Sequence, residues 1–329
     1  DIDLSDLPEL EARLYRGPSD HAAMADMLNR WHRATGAGEV ASVDELDHNY
    51  AHIENCDPKV DMVMIADRSG RLVGYTRTEW WQVVDGERKY AVFAKVDPDW
   101  GESRLPFALL SAAERHNLGI ATTHDVACSK VLEGWARDDH EQAMVAAYLE
   151  LGFVPVTYEA VMVRADFADV PDAWLPEGVE TRAVEASHLR SIWEADKEAF
   201  RDHWGYAEPS EQDYLRFLEF PHRDESLWKV AWAGDTVVGQ VRSFINQAEN
   251  AELDQERGWT EFISTHREWR GRGVARALIC ASLRELESRG MTEAALGVHT
   301  ENPTGAFSLY ESLGYEVVER STTFQKPFD

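Results

Sequence analysis

Apolar residues recur along this chain with two different spacings. Short apolar runs of strand length fall at 60–66 and 71–80, and again at 228–233 and 236–245. Turn-forming pairs join them, Ser69-Gly70 in the first case and Gly234-Asp235 in the second. Helical spacing marks 187–201, where Leu189, Ile192, Trp193, Ala195, Ala199 and Phe200 give an apolar face. It also marks "VARALICASLRELESRG", where Ala275, Leu278, Ile279, Ser282, Leu283 and Leu286 form a stripe and Gly290 stands at the C-cap. The run "WTEFIST" (259–265), rich in β-formers, precedes that helix and is expected to be one strand.

The pattern is written twice. Tyr148-Leu149-Glu150-Leu151-Gly152-Phe153 returns as Tyr310-Glu311-Ser312-Leu313-Gly314-Tyr315, 162 positions later. "RLVGYTRTEW" returns as "TVVGQVRSFI", with Gly74 and Gly239 separated by 165. "FAKVDPDW" returns as "FISTHREW" at an offset of 169. Three ordered matches at a nearly constant offset indicate duplicated domains. Each copy opens with a strand around Arg16 or Arg182 and continues through amphipathic helices, antiparallel strands and a βαβ unit. The expected fold class is α+β, a mixed and mainly antiparallel sheet flanked by helices. Prolines and a glycine in "ADFADVPDAWLPEGVE" (165–180) mark a linker, which places the domains at 1–168 and 169–329.

Composition narrows the function. The 329 residues suit two ordinary domains, and 44% hydrophobic residues can build a core in each. Sixty acidic residues against 33 basic ones give a net charge of −27. That charge argues against nucleic-acid or anionic-membrane partners, which call for a broad basic face. Cys56, Cys128 and Cys280 are few and widely spaced, so reduced thiols are expected and no metal site. Cys280 falls within an apolar helical stripe and reads as core filler. The start, "DIDLSDLPELEARLYRG", has no apolar leader segment, and no apolar run reaches about 18 residues. A cytoplasmic protein is expected.

Against that acidity, "HREWRGRGVARAL" (266–278) gathers Arg267, Arg270, Arg272 and Arg276 around two glycines. The turn lies between a strand and a helix start. Helix N-termini present unpaired N–H groups and partial positive charge, and glycines let an anion approach the backbone. The combination fits a pyrophosphate. It is not a P-loop, because GxxxxGK[ST] is absent, and a dinucleotide fingerprint would need glycine where Arg276 stands.

Arg270-Gly271-Arg272-Gly273-Val274-Ala275 resembles the [QR]-x-x-G-x-[GA] signature of the GNAT acyltransferase superfamily. "LGVHTENPTGAFSLYESLGY" (296–315) resembles that family's later strand, asparagine turn and "LYExxGF" helix. The likeness covers most of residues 178–328, and the duplication makes it a tandem-GNAT arrangement. It implies acetyl-coenzyme A as cofactor, its pyrophosphate held by residues 270–275 and Asn302 contacting it further along. Ile263 would lie near the acetyl carbonyl, with its main chain as donor, and Thr265 would pair with the pantetheine arm. Glu261 is nominated as general base and Tyr310 as general acid toward the sulfur; His266 competes for the first role.

The first copy departs from the signature. It reads Gly101-Glu102-Ser103-Arg104-Leu105-Pro106, with arginine where the glycine should be and a proline that removes a donor. This copy is expected to be degenerate and structural. A soluble N-acetyltransferase acting in a ternary complex on a small-molecule primary amine is therefore expected, active in the second copy. Two fused copies imitating a dimer would leave the chain monomeric. The alternatives are a non-catalytic acyl-coenzyme A sensor or scaffold and a protein N-acetyltransferase. Asp202, His203 and Trp204 in "FRDHWGY" are candidate acceptor contacts, against a capping turn with a buried tryptophan. The acidic run 246–257 reads as a solvated connection between strands, with a lesser prospect of attracting a cationic acceptor.

Overall fold

The computed structural model describes residues 2–36, 38–84, 86–301 and 305–328. Two compact units make up the chain: residues 1–158 with 320–329, and residues 159–319.

The first unit runs β1 (Leu10–Leu14), α1 (His21–Thr35), α2 (Val43–Ala51), α3 (Pro58–Asp61), β2 (Met62–Asp67), β3 (Leu72–Arg77) and β4 (Trp80–Gln82). It continues through β5 (Arg88–Ala91), β6 (Phe93–Val96), α4 (Leu105–Thr122), β7 (Lys130–Arg137), α5 (Gln142–Glu150) and the start of β8 (Val154–Arg164). The second contains the rest of β8, β9 (Glu180–Thr181), α6 (Leu189–Phe200), α7 (Glu211–Leu218), β10 (Lys229–Ala233), β11 (Thr236–Val241) and α8 (Gln247–Leu253). It continues through β12 (Arg257–Trp259), β13 (Ser264–Thr265), α9 (Val274–Ser288), β14 (Glu293–His299), α10 (Ala306–Glu311) and the start of β15 (Glu316–Pro327).

Each unit repeats one layout. In the first, β1, β2, β3 and β6 form an antiparallel sheet in that order. In the second, β9, β10, β11 and β13 do the same. A second set of strands continues each unit: β4, β5 and β7 in the first, β12 and β14 in the second. The β5–β7 and β12–β14 pairs are parallel, as a helical crossover requires.

The outer partner in each case comes from the other half of the sequence. Glu159–Arg164 of β8 pair antiparallel with β14 inside the second unit. Ser321–Pro327 of β15 pair antiparallel with β7 inside the first. The chain thus enters and leaves each unit on a strand, and the units interleave in sequence.

Hairpin chemistry explains the paired strands. Gly70 turns β2 into β3 at φ 85°, and the Asp67 carboxylate accepts the Ser69 and Arg71 amides. The two repeated strand glycines serve packing. A Cβ at Gly239 would stand 2.6 Å from Val274 Cγ1, and one at Gly74 would stand 3.2 Å from Leu109. Each crossover helix therefore lies directly on its strand. Around α9, the residues Val274, Leu278, Ile279, Cys280, Leu283 and Leu286 are all but fully buried against the sheet. Burying such side chains is worth about 1.5–3 kcal/mol each, so the helix start is rigidly placed.

Two expectations need correction. The run 246–257 contains a helix, α8, capped by Asn246. Glu249 and Asn250 are buried because Glu249 accepts Trp259 Nε1 at 3.3 Å and Asn250 clasps Arg257 at both amide and carbonyl. The expected strand 259–265 is broken: β12 ends at Trp259, β13 begins at Ser264, and residues 260–263 belong to neither. Among the described residues, no helix is long and apolar enough to cross a membrane.

Candidate active site

The break at 260–263 is where the second unit opens. β12 and β14 run side by side from Arg257/Glu293 to Trp259/Ala295, and the Thr260 amide still reaches the Ala295 carbonyl at 2.8 Å. Beyond that point the chain turns to the other sheet, and β13 pairs with β11 at Thr265/Gly239. Phe262 makes the turn with φ 50°, left-handed backbone that a bulky residue adopts only under constraint. Two strands that would be neighbours part company, leaving a gap in the pairing between β13 and β14.

Glu261 stands at the fork. Its Oε1 accepts the Gly297 amide at 2.7 Å, so a side chain takes the place of a ladder carbonyl. The side chain keeps some contact with solvent, yet surrounding protein strips enough hydration to push its pKa up to about 7. The bonds from Gly297 and Phe262 amides oppose that rise without cancelling it. A carboxylate poised near neutrality can accept a proton efficiently.

Tyr310, on α10, is buried and feels the charge of Glu261. Burial first, and that charge second, hold its phenol well above the usual tyrosine range, so it keeps its proton. Thr260 and Tyr315 join hydroxyls at 2.7 Å beneath this pair.

The other wall is the loop into α9. Gly271 and Gly273 adopt φ 72° and 84°, and a Cβ at either would meet nothing within 4 Å. The glycines serve backbone shape and leave an open surface. Among the described residues, the amides of 271–276 find no acceptor, as expected of a first helical turn. Ile263 and Thr265 lie between this loop and the fork. Ladder alternation points the Thr265 amide and carbonyl away from β11, and the carbonyl accepts Arg270 Nε at 3.3 Å. Asn302 lies outside the described residues.

The four arginines divide their work. Arg270 donates to the Ala199 carbonyl and to Asp202, each at 2.8 Å, so it ties the loop to the end of α6. Arg267 reaches the same Asp202 carboxylate at 2.8 Å. Arg272 lies over Trp269 and Arg276 bonds Ser312. His266 caps the loop's first turn, its ring accepting the Glu268 amide at 3.3 Å. Asp202, singled out in the sequence as an acceptor contact, is thus a clasp on the glycine-rich loop, and Arg270's bonds hold its carboxyl below the usual range. His203 and Trp204 do not point to a buried capping turn. Trp204 is 44% exposed, and both rings pack near His299 at the end of β14.

The same architecture with other residues shows what the fork needs. The sequence offsets put Val92 where Glu261 stands and Tyr148 where Tyr310 stands. In the first unit Tyr148 is fully buried, stacks on Phe324 and donates its hydroxyl to the Val92 carbonyl at 2.6 Å. It lies so close to Gly134 that a Cβ there would be 2.4 Å from its hydroxyl. At the start of α4, Ser103 Oγ already accepts the Leu105 amide at 3.1 Å, and Pro106 has none to offer.

Comparison with known proteins agrees with this architecture. Residues 189–315 match the Acetyltransferase (GNAT) family. A GCN5-related N-acetyltransferase structure from Sphaerobacter thermophilus superposes with a TM-score of 0.71 at 23% identity, covering 97% of this chain and 96% of that one. A tandem GNAT protein from the clavulanic acid biosynthesis pathway gives 0.64 at 15% identity, covering 97% and 98%. The chain has the tandem GNAT fold. A mycothiol acetyltransferase from Thermobispora bispora is 34% identical over 185 residues, 55% of this chain and 61% of that protein. The chain therefore matches about three fifths of that relative's length.

Sequence reasoning missed Gly297 as the partner of Glu261, and the ion pair of buried Arg242 with half-buried Asp196 at 2.6 Å beside the fork. A signal existed for the arginine. Arg242 recurs as Arg77 at the 165-residue offset that relates Gly239 to Gly74.

Proposed function

We infer that this protein is an acetyl-coenzyme A-dependent N-acetyltransferase that acts on the primary amine of a small molecule, with its active centre in the second unit. One observation carries the reading. A carboxylate with a pKa of about 7 and a protonated, buried tyrosine flank a strand fork that faces amides without acceptors. Acetyl-coenzyme A supplies the activated thioester. The residues present fit it: the amides of 271–276 suit a diphosphate, and open space over Gly271 and Gly273 admits one.

Glu261 takes the proton that an ammonium must lose before its nitrogen can attack. The nitrogen bonds to the acetyl carbon as the carbon–sulfur bond breaks. Main-chain N–H at Ile263 serves the oxygen on which negative charge grows. Tyr310 gives its proton to the departing thiolate and regains the one that the nitrogen sheds as the amide forms. Arg272 and Arg276 add charge at the diphosphate end, while Arg270 keeps the loop in place. The first unit, with Val92 for Glu261 and Tyr148 filling the space, is structural in this reading.

The names of the curated relatives support an amine on a small molecule, and an amino sugar or aminated metabolite is the acceptor class to try first. The test is coenzyme A release from acetyl-coenzyme A over a panel of such amines and of lysine peptides. Wild type should outpace Tyr310→Phe by about 10-fold or more with at least one small amine, at similar acetyl-coenzyme A KM. Equal rates with every amine would favour an acyl-coenzyme A sensor, and turnover of peptides alone would favour a protein N-acetyltransferase.

A further inference from the structure

We propose that Arg242 and Asp196 are a positioning pair that holds residues 260–263 in their bent form and so aims Glu261 across the fork. The proposal rests on the reading of Glu261 as the proton acceptor.

The bend needs an outside support. Phe262 is left-handed at φ 50°, and its ring is 42% exposed, so burial of the ring does not account for the conformation. Arg242 touches this segment twice. Its amide donates to the Glu261 carbonyl at 2.9 Å, and its guanidinium lies 4.3 Å from the centre of the Phe262 ring. The far side of the guanidinium is fixed. Nη2 donates to Asp196 Oδ2 at 2.6 Å, and the group also stacks near Phe217. Asp196 belongs to α6, where Gln240 Nε2 donates to its Oδ1 at 3.3 Å and to the Ile192 carbonyl at 3.0 Å. Asp196 further bonds the side chain of Ser264, the first residue after the bend. Residue 242 therefore holds the segment at 261 through its main chain and at 262 through its guanidinium, while Asp196 reaches 264.

Arg242 is buried and Asp196 half-buried, and ion pairs so placed contribute little net stability. The value of this one lies in geometry. A planar guanidinium can stack on a ring while it hydrogen-bonds a carboxylate edge-on, which lysine cannot do.

The first unit supplies an internal control. Arg77 likewise lies over Phe93 and Tyr50, at 5.7 and 5.5 Å. Its carboxylate partner is Glu79, two residues along the same chain segment. There Phe93 starts the regular strand β6 and has no left-handed backbone. The copy in which a helix carboxylate anchors the arginine is the copy with the bend, and it is the copy with the glutamate.

The groups that face Glu261 are the Gly297 amide from β14, Tyr310 from α10 and Tyr315 after it. Arg242 is not among the charges that set its titration. Loss of Arg242 should therefore act through position: the bend relaxes, Glu261 leaves the Gly297 amide for solvent, and its pKa falls toward an ordinary carboxylate.

The test uses the full chain labelled with 13Cδ-glutamate and needs no acceptor. The resonance missing in Glu261→Gln identifies the Glu261 carboxyl, which should titrate near 7 in wild type. In Arg242→Met it should move down by a unit or more, in Arg242→Lys by less. Phe262→Gly added to Arg242→Met should recover part of the shift, because glycine tolerates the left-handed bend. An unchanged titration in a folded Arg242→Met protein overturns the proposal. Should Arg242→Met not fold, Arg242→Lys and Asp196→Asn carry the same comparison, and an unchanged carboxyl in both overturns it equally. Glucosamine-dependent coenzyme A release, or release with whichever panel amine is turned over, separates the two readings. Full activity of Glu261→Gln would sink the proton-acceptor role alone. Loss of activity in Glu261→Gln with an unmoved titration in the Arg242 variants would sink the positioning pair alone.

Discussion

The Gly297 amide donates to Oε1 of Glu261 at 2.7 Å, across strands that have already stopped pairing. The bond sets the carboxylate at the mouth of the fork while burial keeps its pKa near 7.

Replacing Glu261 by glutamine keeps an acceptor for Gly297 and removes the titration. With a turned-over amine, kcat/KM should fall by about 10²-fold or more, the range for a lost general base. In wild type the proposed base role requires a rate that rises as pH increases through about 7, where the carboxylate forms; that limb should vanish in the variant.

The same substitution should alter stability with the opposite pH sense. The native pKa of about 7 exceeds the ordinary value of 4.5, so the native state holds the proton more tightly than the unfolded chain. This contribution is complete below about pH 4.5 and is lost as pH rises through 7. Glu261→Gln should therefore unfold at higher denaturant than wild type at pH 8, by on the order of 1 kcal/mol given the residual solvent contact, and the gap should close by pH 5. Urea titrations at the two pH values measure it.

Gly273→Ala separates backbone shape from ligand approach. The site is left-handed and otherwise open, so folding stability should drop by only about 1–2 kcal/mol. Affinity for coenzyme A, followed by calorimetry, should fall by about 10-fold or more, since the methyl would intrude where the proposed diphosphate site presents its amides.

Asp202→Asn frees two loop arginines from a shared carboxylate. The loop gains net positive charge, so coenzyme A should bind about 2–5-fold tighter at low ionic strength, with the gain disappearing in high salt. Weaker binding in the variant would mean that the clasp shapes the loop more than it neutralises it.

In the first unit, Gly134→Ala should destabilise by about 1–3 kcal/mol, the usual range for overpacking, because Tyr148 leaves no room for the methyl. Acetyl transfer per folded molecule should be unchanged, which denaturation and rate measurements on one preparation can show.

Much of this was legible in the sequence for identifiable reasons. The repeats, the strand glycines and the stripe from Ala275 to Leu286 are local patterns, and local patterns survive into the fold. The bend at Phe262 was not legible, because its backbone is set by Arg242 and Asp196, which lie 20 and 66 positions earlier. The run 246–257 looked solvated because acidity usually means exposure. Glu249 and Asn250 are buried only because Trp259 and Arg257 satisfy them. Strand exchange was illegible in principle. A pattern written twice offers each strand two equivalent sites, and periodicity does not choose between them.

That exchange bears on how the molecule can be dissected. A clone beginning at the linker would deprive β14 of its antiparallel neighbour at 159–164 and carry 321–327 as a ribbon without its β7 mate. Exposed edges of that kind invite self-association. Severed fragments should precipitate singly and regain solubility when mixed, because for this polypeptide half of the gene does not encode half of the architecture.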